Sequence, residues 1–112
     1  MHKFPNAGSA HVDPIKLTGY LLSLTHPQGK SKATWFRMLG FDEANVGELS
    51  LELRRMPVDG TVTEIVENSF GTKYVVEGML IGPHGAGMVR SVWIINDHSS
   101  IPRLITAYPT DD

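Results

Sequence analysis

The sequence predicts an α+β fold, about three N-terminal helices packed on a four-stranded antiparallel meander sheet, within one domain spanning residues 1–112. Three observations predict it. Apolar residues recur at helical spacing through the first half of the chain. After Asp59-Gly60 the pattern changes to β-rich, alternating runs. Those runs are joined by connections too short for parallel crossovers, so successive strands are expected to pair antiparallel.

The lead-in to Val12, with Pro5, Gly8 and Ser9, reads as irregular. Asp13-Pro14 opens the first helix, because Asp is a good N-cap and Pro is preorganised for the first helical position. Ile15, Leu17, Tyr20, Leu21, Leu22 and Leu24 form its apolar face. It is expected to end near residues 23–25, since the residue before Pro27 avoids the α region. Ser31 is expected to cap a second helix carrying Lys32, Ala33, Trp35, Phe36, Met38 and Leu39, with Gly40 just past its end. A third helix is expected from about Glu43 or Asn45 to Met56, with Val46, Leu49, Leu51 and Leu53 apolar and Pro57 closing it. Strands are expected over residues 61–67, 72–81, 88–96 and 103–108, with Gly82-Pro83-His84-Gly85 as a hairpin loop.

A chain of 112 residues can form a core without staples. It has no cysteine, hence no disulfide and no thiolate metal site, and a reducing compartment is the natural expectation. Met1-His2-Lys3-Phe4-Pro5-Asn6 has no apolar core of a signal peptide, and no apolar run approaches the roughly 20 residues of a membrane span. A cytoplasmic protein, or a module of a larger delivered one, is expected. The net charge of -2 argues against coating nucleic acid through bulk charge. It leaves room for an enzyme that cuts RNA, which needs only a few cations in one cleft. His2, His11, His26, His84 and His98 stand apart without ligand spacing, so no metal or other cofactor is expected.

Two features carry chemistry. The first is His26-Pro27-Gln28-Gly29-Lys30-Ser31-Lys32-Ala33, a loop entering a helix N-terminus, where free N–H groups and the helix dipole favour anions. Lys30 and Lys32 add positive charge, and histidine suits proton transfer at neutral pH. Its structural reading is a helix-stop turn, a cap at Ser31 and solvated lysines. The second comes from strand parity. Thr72, Tyr74, Val76 and Leu80 share one face, against Lys73, Val75, Glu77, Met79 and Ile81. Val89, Ser91, Trp93 and Ile95 oppose Met88, Arg90, Val92 and Ile94. Leu104, Thr106 and Tyr108 oppose Arg103, Ile105 and Ala107. Arg90, Thr106 and Tyr108 are thus polar residues in apolar strands and need partners. Arg90 can pair with Glu77 or Glu64 and Tyr108 can keep its hydroxyl at the rim. Alternatively, with Lys73 nearby, they line a shallow phosphate-binding cleft.

Several segments together resemble a family of uncharacterised small bacterial domains, found alone or at the ends of larger proteins. They are Pro5-Asn6-Ala7, Asp13-Pro14-Ile15-Lys16-Leu17-Thr18-Gly19-Tyr20-Leu21-Leu22-Ser23, the His26–Ala33 motif, Phe36, Leu39-Gly40-Phe41, Gly71-Thr72-Lys73-Tyr74, Val92-Trp93-Ile94-Ile95 and Leu104-Ile105-Thr106-Ala107-Tyr108-Pro109. The order of helices and strands, and the last strand ending Ile-Thr-Ala-Tyr-Pro, are similar to the barnase/EndoU/colicin/RelE-like group of ribonuclease toxins. That resemblance implies metal-independent RNA cleavage by attack of the 2′-hydroxyl. It implies a His or Lys from the helical part, a cation from a middle strand and a Ser, Thr, Tyr or His from the last strand. Here those places fall on His26 with Lys30 or Lys32, on Lys73 or Arg90, and on Thr106 or Tyr108. It also implies a cognate antitoxin or immunity protein.

The expected function is therefore an endoribonuclease toxin of a toxin–antitoxin or toxin–immunity system. His26 is its general base or acid, Arg90 and Lys73 stabilise charge on the phosphate, and Thr106 or Tyr108 orients phosphate or donates a proton. Lys30, Lys32, Thr72 and Lys73 bind the RNA substrate. Two other readings stand beside it. One is a non-catalytic binding module, an antitoxin or adaptor, that pairs a sheet edge with a basic partner. The other is a homodimer through the open sheet face, with Val92, Ile94 and Leu104 exposed.

Overall fold

The structure is a computed structural model that describes residues 4–26 and 30–110. It is α+β with a four-stranded antiparallel sheet, as the sequence predicts. The helices are α1 (Pro14–Lys16), α2 (Lys30–Met38) and α3 (Val46–Asp59). They occupy the middle of the chain and not its N-terminus, because the lead-in before them is itself used in packing. Phe4 packs against Tyr74 with the rings tilted by 36° and their centres 4.8 Å apart, and meets Trp93 edge-on at 6.2 Å. His11 donates its N–H to Pro102 and accepts from Leu104, so residues 11–12 shield the start of the last strand from edge pairing.

Asp13 caps α1 through its side chain, which accepts from the Ile15 N–H at 3.0 Å. The helix then widens into a π-turn over Leu17–Leu21, closed by the Leu22 N–H donating to Leu17. The wide turn buries Leu17, Leu21 and Leu22 and leaves Tyr20 half-buried at its side. Ile15 and Leu24, expected on the apolar face, are exposed instead, because regular helical spacing does not run through the turn. In α2, Ala33, Phe36 and the following Leu39 are buried, while Met38 points to solvent. The helix already begins at Lys30, so Ser31 lies inside it and is not the N-cap expected. Gly40 follows with φ +99°, the left-handed conformation expected of it.

Asp42 and Asn45 exchange side-chain and backbone hydrogen bonds as a capping box ahead of α3. Leu49, Leu53 and Met56 face the core, whereas Leu51 is exposed. Pro57 does not close this helix, which continues to Asp59. Pro57 is buried, and its missing N–H removes one hydrogen bond near the helix end, where the Gly60 N–H donating to Met56 restores the last turn.

The strands are β1 (Thr61–Asn68), β2 (Gly71–Gly82), β3 (Gly85–Asn96) and β4 (Arg103–Pro109), in the order β1-β2-β3-β4. The loop between β2 and β3 is shorter than expected, since Gly82 pairs directly with Gly85. This tip is tied to the end of α2 by the His84 N–H donating to the Leu39 carbonyl at 2.9 Å. Gly82 passes so close that a Cβ there would lie 2.2 Å from that carbonyl oxygen.

One face of the sheet joins the hydrophobic core through Tyr74, Val76, Leu80, Val89, Trp93, Leu104 and Ala107. Its buried polar groups are satisfied: the Trp93 indole donates to Ser91 Oγ at 2.8 Å, and Ser91 donates to the Val76 carbonyl. Lys73, Val75, Glu77, Arg90, Val92 and Ile94 point the other way and are not part of that core. β4 departs from simple alternation. Val92 pairs with Thr106 but Trp93 with Leu104, so Ile105 is an extra, bulged residue. Leu104 therefore faces the core while Thr106 and Tyr108 share the open face with Arg90, correcting the expectation that all three lie together. Of the three residues expected to be exposed for a homodimer, Leu104 and Val92 are buried and Ile94 is half-buried. Among the described residues no helix is long and apolar enough to cross a membrane.

Candidate active site

The π-turn delivers Tyr20 to the edge of β4. Its hydroxyl lies 3.3 Å from Thr106 Oγ1 and accepts a hydrogen bond from the Lys32 ammonium at 2.5 Å. Lys32 arrives from the first turn of α2, with its Nζ 5.0 Å from the Tyr20 ring centre. Lys16, one turn before Tyr20, places its Nζ 5.5 Å from the same ring. The His26 ring stands edge-on to Tyr20, centroids 4.9 Å apart. Lys16, Tyr20, His26 and Thr106, with Asp13 and Ile105 among others, line a cleft of about 600 Å³, and Lys32 is joined to it through the Tyr20 hydroxyl.

Burial of the Tyr20 phenol works to raise its pKa. The hydrogen bonds with Lys32 and Thr106 and the charges of Lys32 and Lys16 outweigh it, and the pKa falls below the ordinary tyrosine value. Among the described residues no carboxylate forms an ion pair with Lys16 or Lys32. Lys16 in the cleft wall and Lys32 on the Tyr20 hydroxyl thus offer charge that a phosphate can meet, beside the Asp13 carboxylate, which accepts from the Ile15 N–H.

A second cluster lies on the open face. Arg90 Nε donates to Glu77 Oε2 at 2.8 Å, across the β2–β3 pair. This bond, with Tyr108 contributing less, raises the Arg90 pKa above its already high value. Tyr108 is the pairing neighbour of Arg90 on β4. Arg90 takes the first of the two structural partners its position suggested, so its charge is largely matched.

The structure therefore brings together His26, Lys32 and Thr106, and separately Arg90 and Tyr108. Thr106 and Tyr108, two residues apart on one face of β4, connect the two clusters. Lys73 lies on the open face between Val66 and Ile94, four pairs along the β2–β3 ladder from Glu77 and Arg90. Thr72 pairs with Ile95 on the opposite face and does not join either cluster. The side chain of Lys30, and Pro27, Gln28 and Gly29 whole, lie outside the described residues. Tyr20 is the residue that sequence reasoning missed. A tyrosine on the apolar stripe of a helix reads as core, and only the contact with Lys32, twelve residues on, marks it otherwise. Among the described residues no three His, Asp or Glu side chains gather as a metal site.

These features define a small α+β domain with a one-sided antiparallel sheet and a phenol-bearing cleft beside its last strand. The chain belongs to the family described as a domain of unknown function, DUF6883, whose model matches residues 3–111. Its fold is that of a chain in a contact-dependent growth inhibition toxin–immunity protein complex from Klebsiella pneumoniae 342. The TM-score is 0.74 at 21% identity, over 95% of this chain and 97% of that one. No curated protein matches the sequence.

Proposed function

We propose that this chain is a metal-independent endoribonuclease toxin of a bacterial toxin–immunity or toxin–antitoxin system. The observation that carries the reading is the meeting of Lys32, His26 and Thr106 at Tyr20 on the wall of a cleft, with no carboxylate ion-paired to Lys16 or Lys32 among the described residues. Its likeness in fold to a chain of a toxin–immunity complex supports membership of such a system. An RNA backbone laid along β4 would put one phosphate at Lys32 and Thr106 and a neighbouring one at Tyr108 and Arg90. His26 supplies proton transfer, and Lys32 stabilises the charge that develops on the phosphate.

Tightly controlled induction in bacteria tests it. Growth should arrest with the native chain and continue with His26→Ala, recovered soluble and folded at equal level. The purified native protein should cut total bacterial RNA. Normal growth and intact RNA with the soluble native chain would refute the reading.

One observation favours a second reading, a partner-binding module. β1 is an edge strand exposed along its length except for half-buried Val62, and it presents Ile65, Val66, Glu64 and Glu67. Such an edge suits strand addition by a partner with basic side chains. A chain that leaves RNA intact but binds a neighbouring gene product, and loses that binding on Val66→Pro, would favour it.

A further inference from the structure

We infer that Tyr20, and not His26, is the general base of the proposed cleavage, with Lys32 holding its oxygen ready to take a proton and His26 left to act as the acid. This rests on the ribonuclease reading above.

The geometry is specific. The Tyr20 oxygen is held from two elements at once, by the Lys32 ammonium of α2 and the Thr106 hydroxyl of β4. A tyrosine serving only to fill space needs neither. Every charged or titratable group named around it acts from a known side: Lys16 from α1, Lys32 from α2, and His26 and Asp13 from the loops lining the cleft. The two ammonium groups favour the phenolate, and Thr106 can donate to it. The lowered phenol pKa agrees in direction. A general base works best when its proton affinity is brought towards the working pH.

The step balances without a metal or redox partner. The 2′-hydroxyl proton passes to the Tyr20 oxygen as the 2′-oxygen bonds to phosphorus. The bond from phosphorus to the 5′-oxygen breaks, and that oxygen takes a proton from His26. The products are a 2′,3′-cyclic phosphate and a 5′-hydroxyl end. Water returns the proton from Tyr20 and restores the one on His26.

The experiment is the initial rate of total-RNA cleavage by the purified full chain between about pH 5.5 and 9.5. It compares native protein, Tyr20→Phe and Lys32→Gln, each checked by thermal melting. Tyr20→Phe keeps the ring and should lose about 100-fold or more in rate while melting like the native chain. Native activity should rise with pH as the phenol ionises, and Lys32→Gln should move that rise to higher pH, since it removes a charge that favours the phenolate. Native cleavage with Tyr20→Phe within about threefold of it overturns the inference and leaves the ribonuclease reading standing. Absence of native cleavage sinks both. Should Tyr20→Phe fail to fold, Lys32→Gln decides, and an unmoved pH limb overturns the inference.

Discussion

Two cations of this protein meet a tyrosine beside β4, and they do so differently. Arg90 on the open face is bonded to Glu77, so its charge is matched and serves the sheet. Lys32 at the β4 edge meets the Tyr20 hydroxyl, and no carboxylate among the described residues pairs with it. A third cation, Arg37, is used differently again. Both Nε and Nη2 donate to the Leu22 carbonyl, at 3.1 and 2.7 Å, and Nη2 also reaches Glu43. A charge already matched by protein groups holds the fold, while an unmatched one at a cleft is available to a ligand. Position in sequence does not separate these cases; the partners do.

The sharpest test replaces each cation in turn. Lys32→Met should lower RNA cleavage by about 100-fold or more, roughly 3 kcal/mol of transition-state stabilisation, while the melting temperature barely moves. Arg90→Met should cost less than about tenfold in the same assay, because its charge is already shared with Glu77. Equal losses would erase the distinction.

Arg37→Ala should leave the buried Leu22 carbonyl without its partner and destabilise the fold by about 1–3 kcal/mol, a fall in melting temperature of order 5–10 °C. Cleavage by the molecules that remain folded should stay near native. A large drop in activity at full stability would make Arg37 part of the cleft.

Glu77→Gln should leave the melting temperature nearly unchanged, since the pair it breaks is partly exposed and screened by solvent. The released Arg90 charge should tighten RNA binding a few-fold at low salt, an effect lost at high salt. Unchanged binding at low salt would mean that RNA does not pass over Tyr108 and Arg90. The smallest effect expected is none at all: excess EDTA should leave the cleavage rate of the native chain as it was, and loss of activity would refute the metal-independent mechanism.

Much of the fold could be read from residues that act locally. Asp13 caps as its side chain predicts, Gly40 takes its left-handed turn, and Gly82 and Gly85 close the hairpin. The Arg90–Glu77 bond was among the two partners expected, because cross-strand neighbours follow from short hairpins and parity. Parity failed at β4, where one bulged residue, Ile105, turned Leu104 inward and left Thr106 and Tyr108 outward. Spacing failed at Leu17–Leu21, where a π-turn set the faces and exposed Ile15. Both irregularities shift a side chain by about one position, and a periodic pattern carries no mark of them.

The sequence by itself determined the α+β order, the antiparallel pairing and most of the core. These follow from caps, glycines and alternating apolar residues that act over a few positions. Only the tertiary structure decided which charged groups meet. Tyr20, Lys32 and Thr106 come from three elements separated by up to 86 positions, and they converge because a widened turn and a bulged strand happen to face each other across the edge of the sheet. Long-range contacts of this kind depend on how whole elements pack, so no local pattern encodes them.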